Sequence, residues 1–91
     1  MPRSETFGQA LYRLRRARGL SIRRLDALSG VSYSYVSMLE SGQRQPKPET
    51  IDALARAMQL SDEQTTQLFL TINALPPGDW SIREDGSLAP A

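Results

Sequence analysis

Residues 21–42 read SIRRLDALSGVSYSYVSMLESG, and the reading of this stretch decides the fold. Ser21 is placed to cap a short helix, about 21–29, whose inward residues are expected to be Ile22, Leu25 and Leu28. Gly30 breaks that helix after barely two turns, and only Val31 separates it from Ser32, the next N-cap candidate. A further helix, about 32–41, then runs to Gly42. Within it, Val36 and Leu39 point the same way and make a core face. At ~100° per residue the opposite face carries Ser34, Ser37, Met38 and Ser41, with Tyr33 beside it near the N-terminal end. Two helices joined so tightly cannot lie antiparallel, so the second protrudes while the first braces it.

Upstream, Thr6 opens a helix with Gln9 three residues on as its capping-box partner. Phe7, Ala10, Leu11, Leu14 and Ala17 recur there at helical spacing, and Gly19 stops the run as a left-handed residue. Downstream, the loop Gln43-Arg44-Gln45-Pro46-Lys47-Pro48 forbids helix continuation. A fourth helix is expected from Glu49 to Met58, with Ile51, Leu54, Ala55 and Met58 inward. Ser61 and Gln64 form another capping box for a fifth, which carries Leu68, Phe69, Ile72 and Leu75 up to Pro76-Pro77-Gly78. The remainder is a polar tail holding Trp80. There Asp85-Gly86 can turn a hairpin between Trp80-Ser81-Ile82 and Ser87-Leu88, two strands marginal by themselves. There is no internal repeat.

Composition narrows the chemistry. The 91 residues suit a single domain, and the absence of cysteine and histidine removes disulfides, thiolate zinc sites, cysteine nucleophiles and the commonest general base. No apolar run approaches the ~20 residues of a membrane span, and no signal-peptide core opens the chain. An enzymatic reading finds neither a phosphate loop nor a convergent carboxylate pair, and no metal spacing or cofactor motif is present. The expectation is a cytoplasmic, non-enzymatic protein without cofactor. The net charge of +1 hides an asymmetry: residues 1–48 hold nine basic against three acidic side chains, residues 49–91 two basic against seven acidic. One face is thus built to meet a polyanion.

The protruding helix supplies the reading surface. Its small, hydroxyl-rich face admits close approach to base edges, and a tyrosine or methionine edge fits a thymine methyl. Ser32, Tyr33, Ser34, Ser37 and Met38 are therefore the candidate base contacts in double-stranded DNA. Arg23 and Arg24 on one side and Arg44 and Lys47 on the other bracket the groove and are assigned to phosphates. The helix N-termini at Ser21 and Ser32 offer backbone N–H groups to phosphate oxygens. Arg13, Arg16 and Arg18 read as a solvated face, and Tyr35 as flanking the core.

These residues resemble the Cro and phage-repressor type of helix-turn-helix domain, the XRE-like family. The matching stretches are Arg18-Gly19-Leu20-Ser21, Leu25, Leu28 to Ser32, Tyr35 to Gly42, Pro48-Glu49-Thr50 and Leu54-Ala55, and the likeness covers about residues 6–75. The resemblance implies an all-α, compact five-helix lambda-repressor-like DNA-binding domain over residues 1–76, with a short C-terminal tail, 77–91, as a candidate dimerisation element. It also implies backbone contacts from Ser21, Ser41, Gln43, Arg44, Gln45 and Lys47, and a partly buried ion pair between Arg15 and Glu40. The implied function is transcriptional regulation, in most members repression, by a homodimer on a pseudo-palindromic operator in a bacterial nucleoid or on phage DNA. The family's phage-type switch proteins, restriction–modification controllers and antitoxin-like autoregulators suit this length. Some positions depart from the pattern. Ile22 replaces a glutamine that contacts phosphate, and Asp26 replaces a small residue between the two helices, where a carboxylate either caps the third helix or loosens the pair. Ser29 replaces an apolar residue before the turn, while Tyr33 and Met38 replace common base readers. The alternative is a protein–protein adaptor or antitoxin-like module that holds a partner through its acidic C-terminal half.

Overall fold

Local capping sets the element boundaries. Thr6 Oγ1 accepts from the Gln9 N–H at 3.1 Å, and Gln9 Oε1 accepts from the Thr6 N–H at 3.0 Å, closing the capping box of α1, Phe7–Ala17. Gly19, at φ 67°, ends α1 in a Schellman motif: its N–H meets the Arg16 carbonyl, and the Leu20 N–H meets that of Arg15. Ser21 caps α2, Ile22–Ser29, and Ser32 caps α3, Tyr33–Ser41; each hydroxyl accepts the amide three residues on. Lys47 offers no side-chain cap to α4, Pro48–Ala57, and Pro48 instead occupies the first turn, where its missing N–H costs nothing. Ser61 and Gln64 close a second box on α5, Asp62–Leu70.

The computed structural model describes residues 5–72, 80–82 and 88–90. Five helices make the domain, which is all-α. In the tail, β1 (Trp80–Ile82) pairs antiparallel with β2 (Leu88–Pro90), Trp80 opposite Pro90 and Ile82 opposite Leu88. The first strand matches the sequence reading and the second contains Leu88 as expected; Ser87 and the Asp85-Gly86 turn lie outside the described residues.

α1 packs on α3 and α5, α2 on α3 and α4, and α4 on α5, so α3 is braced from two sides. One apolar core joins all five: Phe7, Leu11 and Leu14 from α1, Leu25 from α2, Val36 and Leu39 from α3, Ile51 and Leu54 from α4 with Met58 after it, and Leu68 and Phe69 from α5. Each such burial contributes about 1.5–3 kcal/mol toward offsetting chain entropy.

Three expectations are corrected. Leu28 is 46% exposed. The inward arc of α2 is made by Ile22, Leu25, Asp26 and Ser29, and at ~100° per residue Leu28 falls beyond its edge. Ala17, in the last turn of α1, is also exposed. Finally, α5 ends at Leu70, short of the Pro76 stop. There the Thr71 hydroxyl donates to the Leu68 carbonyl at 2.6 Å, and the Thr71 and Ile72 amides bond three residues back, a tightened final turn. Leu75 and Pro76 to Gly78 lie outside the described residues.

Candidate nucleic-acid interface

Helix α3 presents two contrasting faces. Val36 and Leu39 are buried, whereas Ser34, Ser37 and Ser41 are exposed and Met38 is half-buried. Ser32 and Tyr33 stand exposed at its start, Tyr33 at 47%. The residues expected to touch bases thus share the surface of one helix, away from the core.

The orientation of α3 is held by a buried ion pair. Arg15 Nε donates to Glu40 Oε2 at 2.6 Å, and Nη2 donates to Oε1 at 3.0 Å, a two-pronged bond between α1 and α3. Nη1 donates to the Leu20 carbonyl at 2.8 Å, so the same guanidinium also fixes the turn into α2. Both side chains are about nine-tenths buried, and Glu40's hydrogen bonds hold the Arg15 pKa above its ordinary value. Beside this pair the helices nearly touch. A Cβ on Gly8 would lie 2.6 Å from the Leu39 carbonyl oxygen and 2.7 Å from that of Glu40.

The turn between α2 and α3 is built from polar groups. Asp26 Oδ2 accepts from the Tyr33 N–H at 2.8 Å, so the carboxylate caps α3. Ser32 Oγ accepts from the Tyr35 N–H at 3.2 Å. These bonds occupy two of the first-turn amides of α3 that the sequence left open to a phosphate. Ser29 Oγ donates to the Leu25 carbonyl at 2.6 Å and accepts from the Val31 N–H at 3.0 Å, tying the helix end to the turn. Sequence reasoning left Asp26 between two roles and gave Ser29 none; the signal for both was a short polar side chain on an inward arc.

Cations gather at both ends of α3. At its start, Ser21, Arg23 and Tyr33 line a cleft of about 590 Å³ together with Arg15 and Arg16. Arg23 lies over the Tyr33 ring, its Cζ 5.7 Å from the centroid, and Arg15 and Arg16 flank the exposed Tyr12 ring at 5.3 and 5.8 Å. Arg24 is exposed nearby on α2. At the far end, Ser41, Arg44 and Gln45 border a second hollow, of about 640 Å³, whose one cation is Arg44 and which Glu5 and Glu40 also line. Gln43, Arg44, Gln45 and Lys47 are all exposed, while Pro46 is buried. The Gln43 and Arg44 amides both turn back to the Met38 carbonyl, and Tyr35 Oη donates to the Gln45 carbonyl at 3.3 Å. The loop is thereby pinned with its side chains outward. Ser21 and Ser41 are partly engaged, Ser21 Oγ by the Arg24 N–H and Ser41 Oγ by the Met38 carbonyl.

Arg13, Arg16 and Arg18 are all exposed, and two of them also hold polar partners. Arg13 binds Glu5 through two bonds, of 2.8 and 2.9 Å. Arg18 Nη2 donates to the Gln59 carbonyl at 3.0 Å, at the turn after α4. Arg16 shares the Arg23 cleft, a placement invisible until α1 and α2 are packed. Among the described residues, no group of His, Cys, Asp and Glu is arranged to hold a metal ion, and no helix is long and apolar enough to cross a membrane.

The helix-turn-helix family matches residues 11–64. The HTH-type transcriptional regulator RghRB of Bacillus subtilis, itself uncharacterized, is 41% identical over 71 residues, 77% of this chain and 51% of that protein. The HTH-type transcriptional repressor RghR of the same organism is 43% identical over 60 residues, 65% of this chain and 44% of its own length. The chain thus spans about half the length of these two relatives. Among solved structures, the restriction-modification controller protein C.AhdI from Aeromonas hydrophila superposes with a TM-score of 0.61 at 42% identity, covering 65% of this chain and 89% of the other.

Proposed function

This chain belongs to the XRE-type helix-turn-helix family, a family of non-enzymatic DNA-binding regulators, and on that premise we propose that it is a sequence-specific transcriptional repressor. It acts as a homodimer on a pseudo-palindromic operator, in the cytoplasm, at a bacterial nucleoid or on phage DNA. Ser32, Tyr33, Ser34, Ser37 and Met38 meet base edges in the major groove. Ser21, Arg23, Arg24, Ser41, Gln43, Arg44, Gln45 and Lys47 meet the two backbones beside it. The observation that carries this reading is the uncharged, exposed face of α3 with cations at both of its ends. Phosphate contacts supply affinity and register, and the bare helix face between them is free to read sequence. The relatives' names point the same way, as regulator, repressor and restriction-modification controller. Dimer contacts fall to α5 and the tail, in the acidic half of the chain, which keeps like charge away from DNA.

The test is selection of bound duplexes from a random pool, followed by titration of the winner at two salt concentrations. An enriched palindrome with half-sites about 34 Å apart and steep salt dependence is the expected result. Tyr33→Ala should then relax selectivity at one or two base positions. Weak binding without enrichment would reject the reading in favour of the adaptor.

A further inference from the structure

We propose that Arg23 is a positioning residue for Tyr33, so that α2 sets the base preference of a side chain presented by α3. This rests on the DNA-binding reading above and gives Arg23 a part beyond phosphate contact.

Tyr33 is held from α2 at two points. Its backbone N–H donates to Asp26 Oδ2 at 2.8 Å, and its ring lies beneath the Arg23 guanidinium, 5.7 Å from Cζ to centroid. Arg23 and Asp26 are three residues apart on α2 and so share one of its faces. Tyr33 stands outside the apolar core cluster to which Val36 and Leu39 belong, so core packing does not clamp its ring. A tyrosine 47% exposed gains no rotamer preference from core packing. Left alone it would sample its side-chain wells and present its edge to a base only part of the time. A guanidinium cation over the ring favours one well through its charge, and its planar shape can lie along the ring as an ammonium cannot. At an exposed site such a stack biases the population by about two- to five-fold. Arg23 also lines the same cleft as Ser21, so the cation that orients the ring is beside a group assigned to phosphate. Backbone docking and base reading are then one unit instead of two independent contacts.

The experiment measures affinities for the selected duplex and for a set altered one base pair at a time, using the whole chain. The proteins are wild type, Arg23→Lys, Arg24→Lys, Tyr33→Ala and the double variant Arg23→Lys with Tyr33→Ala. Lysine keeps the charge and discards the plane. Arg23→Lys should keep the salt dependence and lose about two- to five-fold of the preference at the base pair that Tyr33 reads, and nowhere else. It should add no further loss in the Tyr33→Ala background, and Arg24→Lys should leave the preference intact. Far-UV circular dichroism on every variant separates misfolding from altered reading. Unchanged preference in Arg23→Lys, alongside relaxed preference in Tyr33→Ala, would overturn the inference and leave the DNA-binding reading standing. A wild-type protein with no base preference would overturn both.

Discussion

Arg15 and Glu40, 25 residues apart in sequence, meet through two hydrogen bonds of 2.6 and 3.0 Å with both side chains nearly out of solvent. The pair is the polar link between α1 and the helix that carries the candidate reading face. Removing either partner strands a charge that burial forbids. Glu40→Ala or Arg15→Ala should lower unfolding free energy by about 3–5 kcal/mol, measured by urea denaturation. A loss below ~1 kcal/mol would mean that water reaches the pair.

Gly8 separates two opposed expectations. Helix propensity alone predicts that Gly8→Ala stabilises the protein by up to ~1 kcal/mol. The structure puts the new methyl 2.6 Å from a backbone carbonyl oxygen of α3, which no rotamer relieves. Destabilisation of about 1–3 kcal/mol is therefore expected, as for overpacking. A raised midpoint in a denaturant titration would show that α1 and α3 separate at little cost.

The turn after α4 holds Gln59 at φ 55°, with its N–H on the Arg56 carbonyl and the Leu60 N–H on that of Ala55. This is a helix stop of the kind glycine usually makes, occupied by a residue with a side chain. Gln59→Gly relieves the left-handed strain and should raise stability by about 0.5–1 kcal/mol, provided the bond from Arg18 to the residue-59 carbonyl persists. Thermal unfolding checks the sign.

Arg44 stands exposed beside the end of α3, and its backbone amide is turned inward. Its side chain is assigned to phosphate, so Arg44→Ala should weaken binding to every duplex about equally. It should also flatten the salt dependence by about one unit of slope. A changed base preference would place it among the readers.

Glu5 gives a pH signature. The Arg13 hydrogen bonds hold its carboxyl below the ordinary value of 4.5. A depressed native pKa contributes stability that is complete above the ordinary value and disappears as pH falls through the lowered one. Wild type should therefore exceed Glu5→Gln by roughly 0.2–1 kcal/mol near neutrality, since the pair is exposed. The two melting temperatures should converge as pH falls below the ordinary carboxylate value and through the lowered one. A gap that widens in acid would contradict the assignment.

Apart from the stop of α5 at Leu70, the helix starts and stops were legible because their causes lie within four residues of their effects. Thr6 with Gln9, Ser61 with Gln64, and the glycines at 19, 30 and 42 are local chemistry, and each acts where its spacing says it should. The inward residues of α4 were legible for the same reason, since one clean stripe leaves no choice of face. Helix α2 was not, because eight residues carry too few apolar positions to fix a stripe, and its arc turned toward Asp26 and Ser29 instead of Leu28.

By itself, the sequence determined five helices, four of them with side-chain caps, the charge asymmetry, and a third helix with one apolar and one hydroxyl-bearing face. Those are properties of short-range hydrogen bonding, backbone freedom and composition, which need no distant partner. Tertiary structure decided what distant residues do to one another. It brought Asp26 to the Tyr33 amide, Arg23 over the Tyr33 ring, Arg18 to the Gln59 carbonyl, and Gly8 against the last turn of α3. Such pairings depend on how the helices pack around a shared core, which excludes some approaches and forces others. No local pattern in the chain encodes that exclusion.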